Sequence, residues 1–457
     1  MSASETPAPL SPAPQSPTRP AHNIRFIDAF WFWLKLGFIS FGGPAGQIAV
    51  MHQELVEKRR WLSERRFLHG LNYCMMLPGP EAQQHATYIG WLLHGRWGGL
   101  AAGVLFVLPS LLILIALSWL YFRYGEVPLV AGLFYGIKPA ITAIVVHACW
   151  RIGSRALRHG WHVAIAAAAF VALFALDTPF PLVVLGAALL GLLGGRLAPA
   201  QFHTTSKTDD KQSYGPAVLD DDTPLPPHAQ FRWSRLALTL LSCLLLWALP
   251  LALLSYVYGW QGTFTQMAWF FTKAALLTFG GAYAVLPYVY QGAVEQFRWL
   301  SGPQMIDGLA LGETTPGPLI MVVAFVGFVG GAQTAALGAG NEMLAGVVAA
   351  GIVTYFTFLP SFLFIFAGAP FIESTKDDVK LTAPLTAITA AVVGVILNLA
   401  LFFAYHVLWP QGFNGRFDWP SAIISVLALL ALFRLKWNVM LVIGGAAVLG
   451  LVVHSVR

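Results

Sequence analysis

A stretch of fifty residues occurs twice in this chain. Residues 31–80 align without a gap on residues 269–318, at a constant offset of 238, and eighteen of the fifty positions are identical. Chance matches between apolar segments would be Leu and Ala, but these are of another kind. They include Trp31/Trp269, Lys35/Lys273, Phe41-Gly42-Gly43/Phe279-Gly280-Gly281, Gln53/Gln291, Glu57/Glu295, Arg60/Arg298 and Trp61-Leu62-Ser63/Trp299-Leu300-Ser301. The stretch closes on Pro78-Gly79-Pro80/Pro316-Gly317-Pro318. Farther on, Leu108-Pro109-Ser110 returns as Leu359-Pro360-Ser361, and Ala140-Ile141-Thr142-Ala143 as Ala387-Ile388-Thr389-Ala390. The chain reads as a tandem duplication, so its fold has to be built from two copies of one unit.

The medium follows from composition. Only 11% of residues are charged, 57% are hydrophobic, and the mean hydropathy is +0.66. Soluble proteins carry about a quarter charged residues, and a globule this apolar could not screen its surface from water. The sequence predicts an all-α polytopic membrane protein in contact with the lipid bilayer. The net charge of +6 sits mainly in loops, where it reads as a topology signal and not as a nucleic-acid footprint. Cys74, Cys149 and Cys243 lie far apart in apolar runs and read as small hydrophobes. No phosphate-binding loop, dinucleotide fingerprint, nucleophile elbow or metal spacing is present in the sequence, so neither cofactor, metal nor catalytic residue is expected.

Residues 1–23 hold six prolines between Pro7 and Pro20 and predict a disordered tail. The first unit, 24–197, has apolar segments at 26–41, 67–94, 97–122, 127–150, 162–176 and 179–195. Residues 198–234, with five prolines and the Asp220–Asp222 run, predict a solvated cytoplasmic linker. A connecting transmembrane helix follows at 235–258, then a second unit, 259–457, with six segments that match the first six. Corresponding segments are separated by an odd number of crossings, which predicts two inverted-topology repeats.

Gly-Gly and Pro-Gly-Pro both break helices, because Gly has little helix preference and Pro lacks an N–H. The breaks predict re-entrant hairpins. With hairpins, Lys58, Arg59, Arg60, Arg65 and Arg66 share a side with Arg151, Arg155 and Arg158, as the bias of basic residues toward the cytoplasm requires. The N-terminus is then cytoplasmic. Each break frees backbone donors at the start of a half-helix, an end that carries about half a positive charge. Four such starts, after Phe41-Gly42-Gly43-Pro44, Pro78-Gly79-Pro80, Phe279-Gly280-Gly281 and Pro316-Gly317-Pro318, predict an anion site near the midplane. Ser40 and Thr278 add hydroxyls. Lys35 and Lys273 stand in apolar runs, where a charge costs about 3 kcal/mol and by default marks a pathway or a pair; snorkelling to the interface is the alternative. Glu81 and Glu313 flank the Pro-Gly-Pro breaks on opposite sides; they either couple transport to protons or pair with the lysines.

Phe41-Gly42-Gly43-Pro44, Trp61-Leu62 and Leu77-Pro78-Gly79-Pro80, repeated as Phe279-Gly280-Gly281, Trp299-Leu300 and Thr315-Pro316-Gly317-Pro318, resemble the chromate ion transporter family in its long, two-unit form. The resemblance covers residues 24–454. It departs at Ala282, where the first unit has Pro44. It implies a secondary transporter, not an enzyme, in the bacterial inner (plasma) membrane. That transporter would export chromate from the cytoplasm and confer chromate resistance, with sulfate as the analogue. A homodimer is left open. The alternatives are uptake or exchange of sulfate or another oxyanion and, in a different class, a proton-coupled cation or neutral-solute transporter.

Overall fold

The computed structural model describes residues 24–41, 43–125, 127–197, 214–279, 281–374 and 382–456. The tail at 1–23, the linker residues 198–213, and Gly42 and Gly280 of the two Gly-Gly breaks lie outside the described residues. Sixteen α-helices occur among the described residues. The first unit holds α1 (Phe26–Ile39), α2 (Gly43–His52), α3 (Glu64–Met76), α4 (Glu81–Tyr124), α5 (Pro128–Ala156), α6 (Gly160–Phe174) and α7 (Phe180–Leu197). Helix α8 (Trp233–Tyr258) stands between the units. The second unit holds α9 (Thr263–Leu276), α10 (Ala282–Tyr290), α11 (Gly302–Thr314), α12 (Val322–Gln333), α13 (Glu342–Ser374), α14 (Thr382–Leu408), α15 (Trp419–Phe433) and α16 (Val439–Val456). Seven of the helices among the described residues are long and apolar enough to cross a membrane. This is an all-α polytopic membrane protein.

The repeated residues explain repeated local geometry. A π turn follows α2 at Gln53–Lys58 and another follows α10 at Gln291–Gln296. Arg60 and Arg298 both take a left-handed φ, 51° and 53°. Ser63 and Ser301 then cap α3 and α11, accepting from the backbone N–H of Arg66 and Gln304 at 3.2 and 3.4 Å. The recurring Arg-x-x-Ser and its buried Trp-Leu are thus one turn-and-cap device used twice.

Both Gly-Gly segments double back. The Arg59 guanidinium lies 4.9 Å from the Phe32 ring centroid, and the Trp61 ring 5.3 Å from it, so the chain after the π turn returns alongside the middle of α1. In the second unit Phe297 and Trp299 each lie 5.7 Å from Phe270, the equivalent positions. The Pro-Gly-Pro segments double back as well. Helix α4 breaks at His94 and Gly95 (φ 65°), and His94 Nε2 reaches the Ile24 carbonyl at 2.7 Å. In the second unit Gly330, in the last turn of α12, packs on Met267 and Trp299. Arms of 13 or 14 residues measure about 20 Å, short of about 30 Å of hydrocarbon. Their tips therefore end inside the protein.

The units exchange helices. Helix α5 packs on α15 and α16, while α14 packs on α6 and α7. Where α5 meets α16, Gly136 lies backbone to backbone against Gly450, and a Cβ there would come 1.9 Å from the Ala446 carbonyl oxygen.

The stretch read as a solvated linker is only partly so. Residues 214–232 dock on the loop before α3. Val218 and Leu219 donate backbone N–H bonds to the carbonyls of Arg60 and Trp61, both at 3.0 Å, and Ser63 N–H donates to Leu219 O at 3.1 Å. Ala217 and Ala229 are buried. Backbone bonds hold this Pro-rich, acidic segment together with Tyr214, Leu219 and Leu225, which pack on the core, and His228, whose ring bonds to the Trp91 carbonyl at 2.9 Å.

Candidate functional site

The tips of the four hairpins meet at the junction of the two units. Gly79 donates its N–H to the Thr278 carbonyl at 2.7 Å, and Gly317 donates its N–H to the Ser40 carbonyl at 2.8 Å. The two bonds are the same bond under the offset of 238: each Pro-Gly-Pro loop plugs into the Gly-Gly break of the other unit. Such reciprocity is what a two-fold axis produces. Gly79 and Gly317 have φ of 127° and 103°, a conformation that L side chains rarely adopt. Each also sits against the serine of the other unit's Leu-Pro-Ser. A Cβ on Gly79 would come 2.6 Å from Ser361 Oγ, and one on Gly317 would come 2.8 Å from Ser110 Cβ. Gln47 Nε2 crosses the junction to donate to Gly317 O at 2.5 Å, and Gln84 Nε2 donates to Pro78 O at 2.8 Å.

This changes what the Pro-Gly-Pro loops supply. Two of their three residues have no N–H, and the third N–H is spent on the other unit. The first turns of α2, α4 and α10 and the 3₁₀ turn Leu319–Met321 start directly after the four breaks. Gly43 and Gly281, with φ of 71° and 94°, start α2 and α10 at nearly the same register, so Ala282 in place of Pro44 leaves the break intact. Ser40 Oγ and Ser110 Oγ are buried beside Gly317 with no hydrogen-bond partner among the described residues; Gln83 Oε1 and Gln84 Oε1 likewise have none there. Thr278 Oγ1, by contrast, donates to Ala274 O at 2.7 Å.

Of the residues singled out from sequence, Ser40, Gly79, Thr278 and Gly317 are in direct contact, and Pro80, Pro316 and Pro318 are buried around them. Pro44, Pro78 and Phe279 are half-buried, and Phe41 is exposed. Lys35 is exposed on the face of α1 that carries Trp31 and Phe38, and no hydrogen bond or ion pair joins it to the described residues. Lys273 is half-buried, its Nζ 5.8 Å from the Trp269 ring centroid. Both lysines stand about one and a half turns before the break that follows them. Glu313 accepts a hydrogen bond from the Tyr283 hydroxyl and pairs with neither lysine. Glu81 has no ion-pair partner among the described residues.

A second polar site was not legible from the repeat. Lys138 Nζ lies 3.3 Å from Asp307 Oδ2, which also accepts from the Tyr121 hydroxyl at 2.8 Å. Asp307 is 3% exposed. The pair borders a cavity of about 1110 Å³ between the end of α4, the start of α5, α11, and the ends of α14 and α16. Neither residue has a charged counterpart in the other unit: the equivalent positions hold Leu385 and His69. A search that weighted matched residues passes over it. The available signal was a lone Asp and a lone Lys inside apolar segments.

The sequence profile of a family described as Chromate transporter matches residues 27–192 and 265–451. A chromate transport protein of Pseudomonas aeruginosa is 33% identical over 434 residues, which cover 93% of this chain and 92% of the relative. A chromate transport protein of Cupriavidus metallidurans is 26% identical over 441 residues, covering 96% of this chain and 95% of the relative. No solved structure matches the chain.

Proposed function

Because the chain belongs to the chromate transporter family, we propose that it exports chromate from the cytoplasm across the inner membrane and so confers chromate resistance. The observation that carries the reading is the junction, where four half-helix starts and the unpartnered hydroxyls of Ser40 and Ser110 gather away from water. A tetrahedral dianion is prohibitively costly to bury without many donors and compensating charge. Half-helix N-termini supply partial positive charge, and Lys273, half-buried, and Lys35, on the exposed face of α1, add full charges from outside the buried junction. Sulfate shares chromate's shape and charge and enters as an analogue.

The units are inverted in this reading. Counting α4 beyond its break, α5, α6, α7 and α8 as crossings gives an odd number between the two sets of hairpins. The Arg59–Arg60 loop and the docked 214–232 segment then face the cytoplasm with the N-terminus, and the Arg298 loop faces out.

Energy comes from the membrane potential. Moving two negative charges outward down a potential of about 100 mV, inside negative, releases about 4.6 kcal/mol, enough for a concentration ratio of over about a thousandfold. Glu81 and Glu313 tune this and are not obligatory proton carriers. Inverted membrane vesicles containing the protein should accumulate labelled chromate, with sulfate competing. Accumulation equal to that of vesicles lacking the protein contradicts the reading.

A further inference from the structure

The second arm of α4 runs from His94–Gly95, beside the docked 214–232 segment, to Tyr124. The cavity at its far end is therefore remote from the Arg59–Arg60 loop. Its charged and titratable lining is Arg123, Lys138, Asp307, His406, Asp418 and His454. The acids and the bases are not equivalent. Asp418 accepts from the Tyr135 hydroxyl at 2.7 and 2.8 Å and also caps α15. The Asp307 side chain is 5% exposed, while that of its partner Lys138 is 29% exposed. The acids are turned into the protein and held by tyrosine hydroxyls; an ammonium remains open to the cavity. A cation entering from this side meets positive charge, whereas an anion meets Lys138.

Asp307 also carries a buried oxygen, Oδ1, with no hydrogen-bond partner. An unpaired carboxylate oxygen at such a depth is costly. Opening the ion pair would leave the buried Asp307 charge still less compensated, so the carboxylate pulls Lys138 back. We infer that this cavity is a second oxyanion station, in which Lys138 takes the departing anion and Asp307 is the built-in competitor that reclaims Lys138 and drives the anion off. The station rests on the reading of the cargo as an oxyanion. It would give the far end of the path a weak site by construction, as conduction and release require.

The test is equilibrium binding of labelled chromate, with sulfate as competitor, to the purified full-length protein in lipid nanodiscs. Asp307→Asn removes the competitor and should tighten chromate binding by about tenfold or more, the low end of what close charge pairs are worth. Adding Lys138→Gln to that variant should abolish the gain while leaving a neutral, still hydrogen-bonding pair. Lys138→Cys gives an independent reading: modification with aminoethyl methanethiosulfonate restores an ammonium and should restore binding. Binding by Asp307→Asn no tighter than wild type, a gain that survives without Lys138, or no recovery after modification overturns the inference. If the wild-type protein binds chromate and these variants match it, only the station fails. If neither chromate nor sulfate binds wild type or variants, the oxyanion reading fails with it.

Discussion

Gly317→Ala should be among the most damaging single-methyl additions in the protein. The added Cβ would lie 2.8 Å from Ser110 Cβ, an atom fixed in the backbone frame of the buried middle of α4, at a φ of 103°. Holding an L-residue there costs about 1–3 kcal/mol, and overpacking a filled contact costs about 1–3 kcal/mol more. An overall loss of about 3 kcal/mol corresponds to roughly a 150-fold shift in an equilibrium constant. Gly79→Ala should cost less, because its new Cβ would meet Ser361 Oγ and Gln84 Nε2 at 2.6 and 2.5 Å, both ends of side chains that can turn away. Gly351→Ala is the control: it lies within α13 with open space around it, and should be neutral or stabilising by up to about 1 kcal/mol. Unfolding in mixed micelles titrated with sodium dodecyl sulfate, followed by tryptophan fluorescence, reads all three. Ser110→Gly removes the obstructing atom, so Gly317→Ala/Ser110→Gly should show a favourable coupling of about 1–3 kcal/mol. Gly317→Ala as stable as Gly351→Ala, or no coupling to Ser110, would refute the account of the junction.

Replacing Lys35 or Lys273 with Ala should abolish chromate export in vesicles without loss of the protein from the membrane, whereas Lys58→Ala, at an exposed loop ion pair, should not. Cysteines at Lys58 and Gln296, exposed positions related by the offset of 238, should label from opposite sides of the membrane; labelling from one side contradicts the inverted arrangement. Glu81→Gln and Glu313→Gln, singly or together, should change the rate of export by less than about tenfold, since neither carboxylate is required to carry a proton in a potential-driven step. A complete loss in either would reassign it to coupling.

The duplicated stretch was legible because its matches fall on residues with one structural use. Arg60 and Arg298 turn left-handed, Ser63 and Ser301 cap, and Gly79 and Gly317 hold a φ closed to other residues. The helix ends at the breaks were legible from the same breakers. That each Pro-Gly-Pro would spend its N–H on the other unit was not, because the acceptor is a backbone carbonyl 199 or 277 residues away and any residue offers one. The serines of the two Leu-Pro-Ser motifs were visible as repeats, but their use, backing the other unit's glycine, exists only in three dimensions. The docking of 214–232 was hidden for a related reason: its backbone bonds to Arg60, Trp61 and Ser63 leave no mark in the composition. Lys138 and Asp307 escaped because the duplication did not preserve them.

The central claim, that the protein carries chromate outward on the membrane potential, is tested most directly in proteoliposomes of purified protein. They would be loaded with labelled chromate, with equal pH on both sides and the potential set by valinomycin and a potassium gradient. An inside-negative potential should accelerate efflux, an inside-positive one should suppress it, and external sulfate should slow the exchange of label. Efflux that ignores the potential and appears only with a pH gradient, or no chromate flux at all, contradicts the claim.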